Sequence, residues 1–391
     1  MLPEGKFAQT AKLIPYQHTG TFTGYGDAVD LSGYVCVVGA PRTDPGIAFV
    51  HNFRVSEKEH GVQILPAPAG SSSTEGFGKA VRISEDSNWI FVGAPDANKV
   101  YVYHKKNNVE FNQITLTSST TPALVHDGVS AGETYDIGWT PTNINSVVVK
   151  ASATNILTPG IDYTITGSVI TIIPAIDTNI TSLEITQAPY YVMQTELTAP
   201  IGINADAEFG KFLYCNKDGS ELFVGAPSET GAGGEVDAGK VYCYQRRVEF
   251  QKSNSLTTSY TPTPDITSMA NVYVGEQELL DGTSYTDALS STSEIILTET
   301  VESGQKIKFS STHWDKVQEL TAPSEDNIAN TLFGSQIAVD SSGAGVYVTA
   351  PGYKTSFYDS GKVYRYAKKN RYLGKATAKV ANPSLTAGDN L

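Results

Sequence analysis

Residues 208–227 read Glu-Phe-Gly-Lys-Phe-Leu-Tyr-Cys-Asn-Lys-Asp-Gly-Ser-Glu-Leu-Phe-Val-Gly-Ala-Pro, and their order decides the fold. An aromatic-Gly pair leads into a short strand. The turn Asn216–Ser220 contains Asp218-Gly219, the dipeptide that tight hairpins favour. The second strand, Leu222–Ala226, has no polar side chain, as expected of a strand buried on both faces. The same order returns three more times. Gly24-Tyr-Gly26 precedes Val37-Val-Gly-Ala-Pro41, Gly76-Phe-Gly78 precedes Phe91-Val-Gly-Ala-Pro95, and Leu332-Phe-Gly334 precedes Tyr347-Val-Thr-Ala-Pro351.

A third strand follows each Ala-Pro. It is closely matched in Lys99-Val-Tyr-Val-Tyr103, Lys240-Val-Tyr-Cys-Tyr244 and Lys362-Val-Tyr-Arg-Tyr366, and looser in Ile47-Ala-Phe-Val-His51. A fourth precedes the aromatic-Gly pair: Val62–Ala67, Gln194–Ala199, Val317–Ala322, and in weaker form Ala11–Pro15. A unit of four short antiparallel strands cannot bury both faces alone, so it must stack on copies of itself. The expected fold is all-β: a β-propeller, or a partial propeller arc, of four-stranded antiparallel blades with two inserted small β-domains.

Composition agrees. Of 391 residues only 18% are charged, while Gly (35) and Tyr (21) are abundant. The net charge of −13 gives no general attraction to nucleic acid or an anionic membrane. No apolar run is long enough for a membrane span, and Met1–Phe7 lacks the apolar core of a signal peptide. Three cysteines without a Cys-x-x-Cys pair suggest neither a disulfide framework nor structural zinc. Cys215 and Cys243 fall on the first and third strands of one unit, about 9–10 Å apart. That exceeds the reach of a disulfide, so free, buried thiols are expected.

The Ala-Pro anchors at 41, 95, 227 and 351 are unevenly spaced, because two units carry long inserts between their third and fourth strands. The expected organisation is propeller blades over 1–112, an inserted β-domain over 113–190, a blade over 191–253, a second inserted β-domain over 254–312, and a blade plus the start of a further repeat over 313–391. The inserts are alike. Val147-Val-Val, Leu157-Thr-Pro-Gly-Ile-Asp-Tyr-Thr164 and Val169-Ile-Thr-Ile172 match Val272-Tyr-Val, Leu280-Asp-Gly-Thr-Ser-Tyr-Thr286 and Ile295-Ile-Leu297. In an antiparallel meander alternate turns share an end. Both inserts therefore project from the face that carries the first-to-second-strand hairpins.

Phe-Gly, a short hairpin, Val-Gly-Ala-Pro and Gly-Lys-Val-Tyr-x-Tyr together resemble the FG-GAP repeat of integrin-like β-propellers. The resemblance covers all four units and implies a propeller used for binding, usually outside cells. That family's calcium loop has no counterpart here: Leu31–Gly33, Ser84–Asn88, Asn216–Ser220 and Asp340–Gly343 are too short to supply six or more oxygen ligands. They are read as turns, with no metal and no cofactor. The inserts resemble small β-domains of bacteriophage tail fibres and related virion proteins.

Catalytic signatures are missing from the sequence. The six histidines form no metal-spaced pair, and there is neither a phosphate-binding glycine loop nor a Gly-x-Ser-x-Gly elbow. No catalytic residue is nominated, and the chain is read as a non-enzyme. Loops opposite the inserts, 228–238 and 324–329, put Glu229, Glu235, Asp237, Glu325 and Asp326 on the face considered for a polar ligand or partner; the alternative is a set of solvated connectors. The basic pairs Lys105-Lys106, Arg246-Arg247 and Lys368-Lys369 close the third strands and are read as solvated hairpin bases, with a phosphate or lipopolysaccharide patch as the alternative.

The function expected is a structural or receptor-binding component of a bacteriophage virion, in tail, baseplate or head surface. Its partners are other virion proteins or a host surface glycan or protein, without nucleic acid or membrane insertion, and self-association into a homo-oligomer is open. The alternatives are a bacterial surface adhesin and, third, a carbohydrate-cleaving propeller enzyme. Residues 376–391 resemble 317–332, which run straight into Phe333-Gly334. The chain is accordingly expected to be the N-terminal part of a longer repeat protein; the competing reading is a closed four-bladed ring, with Ala11–Pro15 pairing with Lys362–Tyr366.

Overall fold

The structure is a computed structural model. It describes residues 13, 23–43, 46–53, 61–68, 70–72, 74–106, 114–117, 134–136, 147–152, 155–157, 162–173, 182–187, 190–253, 258–261, 270–274, 277–279, 285–288, 294–298, 300–340, 343–354 and 360–368. Among these, the chain is all-β: every regular element is a strand apart from one short 3-10 turn at Pro95–Ala97. Among the described residues no helix is long and apolar enough to cross a membrane. The stretch 376–391, and all of 11–15 except Leu13, lie outside the described residues, and with them the two readings of the chain end.

The chain divides into two compact units. One comprises residues 1–73 and 104–192, the other 74–103 and 193–391. The first holds the sheet of repeat one, a meander of Ala28–Ser32, Val35–Ala40, Ile47–Asn52 and Gly61–Pro66 in sequence order. It also holds the strands of the first insert. There Val147–Ser152 pairs with Ser182–Gln187, and Tyr163–Thr166 pairs with Val169–Ile172. The Tyr163 hydroxyl donates to the Val147 carbonyl at 2.6 Å from a fully buried position, tying the two sheets of the insert together.

The second unit holds the sheets of repeats three and four and most of the sheet of repeat two. In repeat two the order is Ala80–Ile83, Trp89–Ala94, Lys99–Lys106 and Tyr190–Thr198, so the first insert interrupts a meander without changing it. Repeat three runs Phe212–Cys215, Glu221–Ala226, Lys240–Lys252 and Lys306–Leu320. Its third and fourth strands are long because they continue without a break into the second insert, where Ala270–Val274 adds to the edge of Lys306–Leu320. Repeat four contributes Ile337–Val339, Gly345–Ala350 and Lys362–Ala367.

The motif residues have definite physical jobs. In every repeat the amide of the glycine after the aromatic donates to the carbonyl of the Gly-Ala-Pro position: Gly26 to Gly39, Gly78 to Gly93, Gly210 to Gly225 and Gly334 to Thr349, at 3.0–3.1 Å. Each of these donors has φ between 92° and 96° and is the third residue of a tight turn closed from residue i to i+3, a place that a side chain strains. The preceding Phe77, Phe209 and Phe333 are buried against Tyr101, Tyr242 and Tyr364 of their own third strands, with ring centroids 5.3–5.6 Å apart. This contact is why Phe-Gly and Lys-Val-Tyr-x-Tyr travel together.

Sheets two, three and four of the second unit pack face to face. Leu222, Val224 and Ala226 join Trp89, Phe91, Val100 and Val102 in one core, while Phe223, between them on the same strand, joins Val346, Val348 and Ala350 in the next. The alternation explains why Leu222–Ala226 is apolar throughout. The sheets approach each other closely at glycines. A Cβ on Gly93 would lie 2.1 Å from the Gly210 carbonyl oxygen, and one on Gly225 would lie 2.3 Å from the Gly334 oxygen. The same contact therefore joins repeat two to three and repeat three to four.

Cys215 and Cys243 lie on the two strands that flank Glu221–Ala226, and Cys36, Cys215 and Cys243 are all buried thiols outside any disulfide. Burial raises the pKa of the Cys36 and Cys243 thiols, which suppresses their reactive thiolates. A thiol reagent at pH 8 is expected to react slowly with the native protein and to titrate three thiols after denaturation; rapid native reaction would contradict this packing.

Candidate functional site

Between repeats two and three, the hairpin turns pack directly. Gly219, at φ 62°, sits against the indole of Trp89: a Cβ there would be 2.7 Å from the ring. The Asp86 amide donates to the Lys217 carbonyl at 3.2 Å. Asp86 and Asp218 close their own turns. Asp86 Oδ1 accepts from the Asn88 amide, and Asp218 Oδ1 accepts from the Ser220 amide and hydroxyl. These bonds are those of Asx turns and leave each hairpin as a compact connector. Among the described residues no group of three His, Cys, Asp or Glu is arranged to hold a metal ion.

The third strand of repeat three passes beside these turns. Arg246 pairs with Trp314 across the sheet, and then the register breaks: Val248 pairs with Ser310, so residues 311–313 bulge out of the ladder. A bulge bends a strand and re-aims its side chains. This one stands where the repeat sheet becomes the insert.

Arg246 points inward. It is 5% exposed, and its guanidinium lies 4.1 Å from the centre of the Trp89 ring. Nη2 reaches the Asp218 carbonyl at 3.4 Å, a long bond, and Nε is buried without a hydrogen-bond partner. Burial lowers its pKa to about 10, against the opposing influence of Tyr273, Asp218 and Asp86, so the group stays charged at neutral pH. Above it opens a cavity of about 240 Å³. Two further cations line it: Lys306 Nζ lies 3.6 Å from the centre of the Phe250 ring, and Lys308 Nζ lies 3.8 Å from that of Tyr273. Both ammonium groups are thus placed by ring faces.

First-to-second-strand turns and third-to-fourth-strand residues thus line one cavity, as meander geometry requires. The other loop set lines a second, more open cavity of about 400 Å³ with Asp96, Asp206, Glu208 and Asp237. Of the five acidic residues expected on that face, Glu229 and Asp326 are buried and ion-paired, Glu229 to Lys240 at 3.3 Å and Asp326 to Lys362 at 2.6 Å. The lysine of Lys-Val-Tyr is the partner in both repeats. Glu235 accepts from the Gly233 amide at 2.9 Å and so holds its own loop. Glu325 lies beside Ser324, whose hydroxyl is 3.4 Å from its carboxylate, and Asp237 lines the acidic cavity from a left-handed backbone position, φ 53°.

Arg246 was expected to be solvated, as one of a basic pair. Its neighbour Arg247 is exposed and lies 3.5 Å from Asp315, and Lys368 pairs with Glu221 at 2.7 Å. The signal for Arg246 is strand alternation: Tyr242, Tyr244 and Arg246 share one face, and both tyrosines belong to the core around Trp89. No family model and no curated protein matches the chain.

Proposed function

We propose that this chain is a non-enzymatic binding protein of a bacteriophage virion, in which FG-GAP-like four-stranded units are blades of a propeller or propeller arc. The observation that carries the binding reading is the preformed cavity between repeats two and three, with a buried, charged arginine at its floor. Such a site, small, rigidly framed and carrying a few fixed polar groups, suits recognition. The propeller reading is supported by the glycine contact that recurs between successive sheets. The virion assignment is supported by the inserts, which resemble tail-fibre modules and share strand pairing: Val147 with Gln187 and Tyr163 with Ile172 in one, Val272 with Phe309 and Tyr285 with Leu297 in the other.

Partners on this reading are neighbouring virion proteins or a host surface glycan or protein. Antibodies against the purified chain, applied as gold conjugates to particles released by lysis of the producing culture, are expected to decorate the virion. Label confined to the bacterial envelope would overturn the virion assignment in favour of a surface adhesin. Release of sugars from a polysaccharide panel would overturn the non-enzymatic reading.

A further inference from the structure

We infer that the cavity over Arg246 binds an oxyanion carried on a sugar, a hexuronate carboxylate or a sugar phosphate. This rests on the binding function proposed above and names its ligand class. A guanidinium buried to this degree is ordinarily matched by a carboxylate or a full set of acceptors. Here one long bond to a carbonyl is made and Nε has no hydrogen-bond partner. Asp86 and Asp218 stand near, but their carboxylates serve their own turns. Arg246, Lys306 and Lys308 against those two carboxylates leave the lining net positive in a chain whose overall charge is −13.

The geometry suits a small charged group. The guanidinium fork is the side chain that recognises carboxylate and phosphate in two-point fashion. Trp89 fixes its plane from below, and Lys306 and Lys308 approach from the insert strands. The volume, about 240 Å³, falls below the range that holds drug-sized molecules, so the occupant is one ring or one terminal residue of a chain. Phe250 is 52% exposed at the mouth and offers an apolar edge to the carbon face of a sugar. A ligand here would touch two repeats and the insert at once.

The test is a calorimetric titration of the full chain with D-glucuronate, glucose 6-phosphate, inorganic phosphate and glucose. Saturable binding of glucuronate or glucose 6-phosphate is expected, weakened by salt, with glucose silent. Glucuronate alone identifies a uronate, glucose 6-phosphate alone a sugar phosphate. Inorganic phosphate binding as tightly as both would overturn the sugar part of the inference. Arg246→Gln is expected to weaken binding by about 10- to 100-fold, the worth of a charge-assisted hydrogen bond. Because Arg246 is buried, Lys308→Met is the second variant, expected to weaken binding several-fold with the fold intact by circular dichroism. No saturable binding by the wild type, or unchanged binding in Lys308→Met, would overturn the inference. Oxyanion binding by a protein absent from virions would leave this site standing and reject the virion assignment; virion labelling without oxyanion binding would do the reverse.

Discussion

Gly225→Ala is expected to destabilise the protein by about 3 kcal/mol or more, although it adds only one methyl group. At an ordinary backbone conformation, Gly→Ala stabilises by about 0.4–1 kcal/mol through the unfolded chain. Gly225 is not among the residues with positive φ, so conformation alone predicts that gain. Sterics reverse the sign. The new Cβ would sit 2.3 Å from the Gly334 carbonyl oxygen and 3.2 Å from the Phe212 Cβ. Neither neighbour can swing aside: Gly334 is held by the hydrogen bond its amide donates to the Thr349 carbonyl, and Phe212 lies in the ladder opposite Gly225. Gly93→Ala, 2.1 Å from the Gly210 oxygen, is expected to behave alike. Gly343→Ala is the control. Its φ is 68° but nothing lies within 4 Å, so only the left-handed strain of about 1–2 kcal/mol applies. Urea midpoints check the order; a Gly225→Ala chain as stable as wild type would refute the close approach of sheets three and four.

Trp89→Ala should cost about 3–5 kcal/mol, the range for removing a large buried aromatic. The indole is 2% exposed and meets Trp314 edge-on at 6.1 Å between centroids. It also carries the Gly219 turn and the Arg246 guanidinium. Its loss therefore opens a cavity and leaves a buried cation without its ring. Trp89→Phe keeps a ring face and is expected to recover more than half of the loss. Chemical denaturation of the three proteins decides this; equal stability of the Ala and Phe variants would show that the ring face contributes nothing.

Much of this was legible in the residues. Strand order and the two-sided burial of Leu222–Ala226 followed from period, turn chemistry and repetition, because each is a local consequence of side-chain type. What escaped was set by contacts between repeats. The glycine of Gly-Ala-Pro falls inside a strand, and only the fold names the atom it must admit, a carbonyl oxygen over a hundred residues away. Glu229 and Asp326 read as ligand-facing loop acids, and only the fold brings Lys240 and Lys362 against them. Arg246 reads as one of a solvated basic pair. Its burial depends on which face of the strand meets Trp89, and the cavity above it depends on a bulge that no local pattern announces.

Residue-resolved hydrogen exchange on the wild type and on Gly225→Ala tests most directly whether sheets two, three and four form one stack joined at glycines. Amides of the three central strands, 89–94, 221–226 and 345–350, are predicted to exchange last in the wild type and with a common opening free energy. In Gly225→Ala their protection is predicted to fall together, strand 89–94 included, because that strand shares a core with Leu222 and Val224. Three strands opening at unrelated rates, or full protection of 89–94 in the variant while 345–350 opens, would contradict the account.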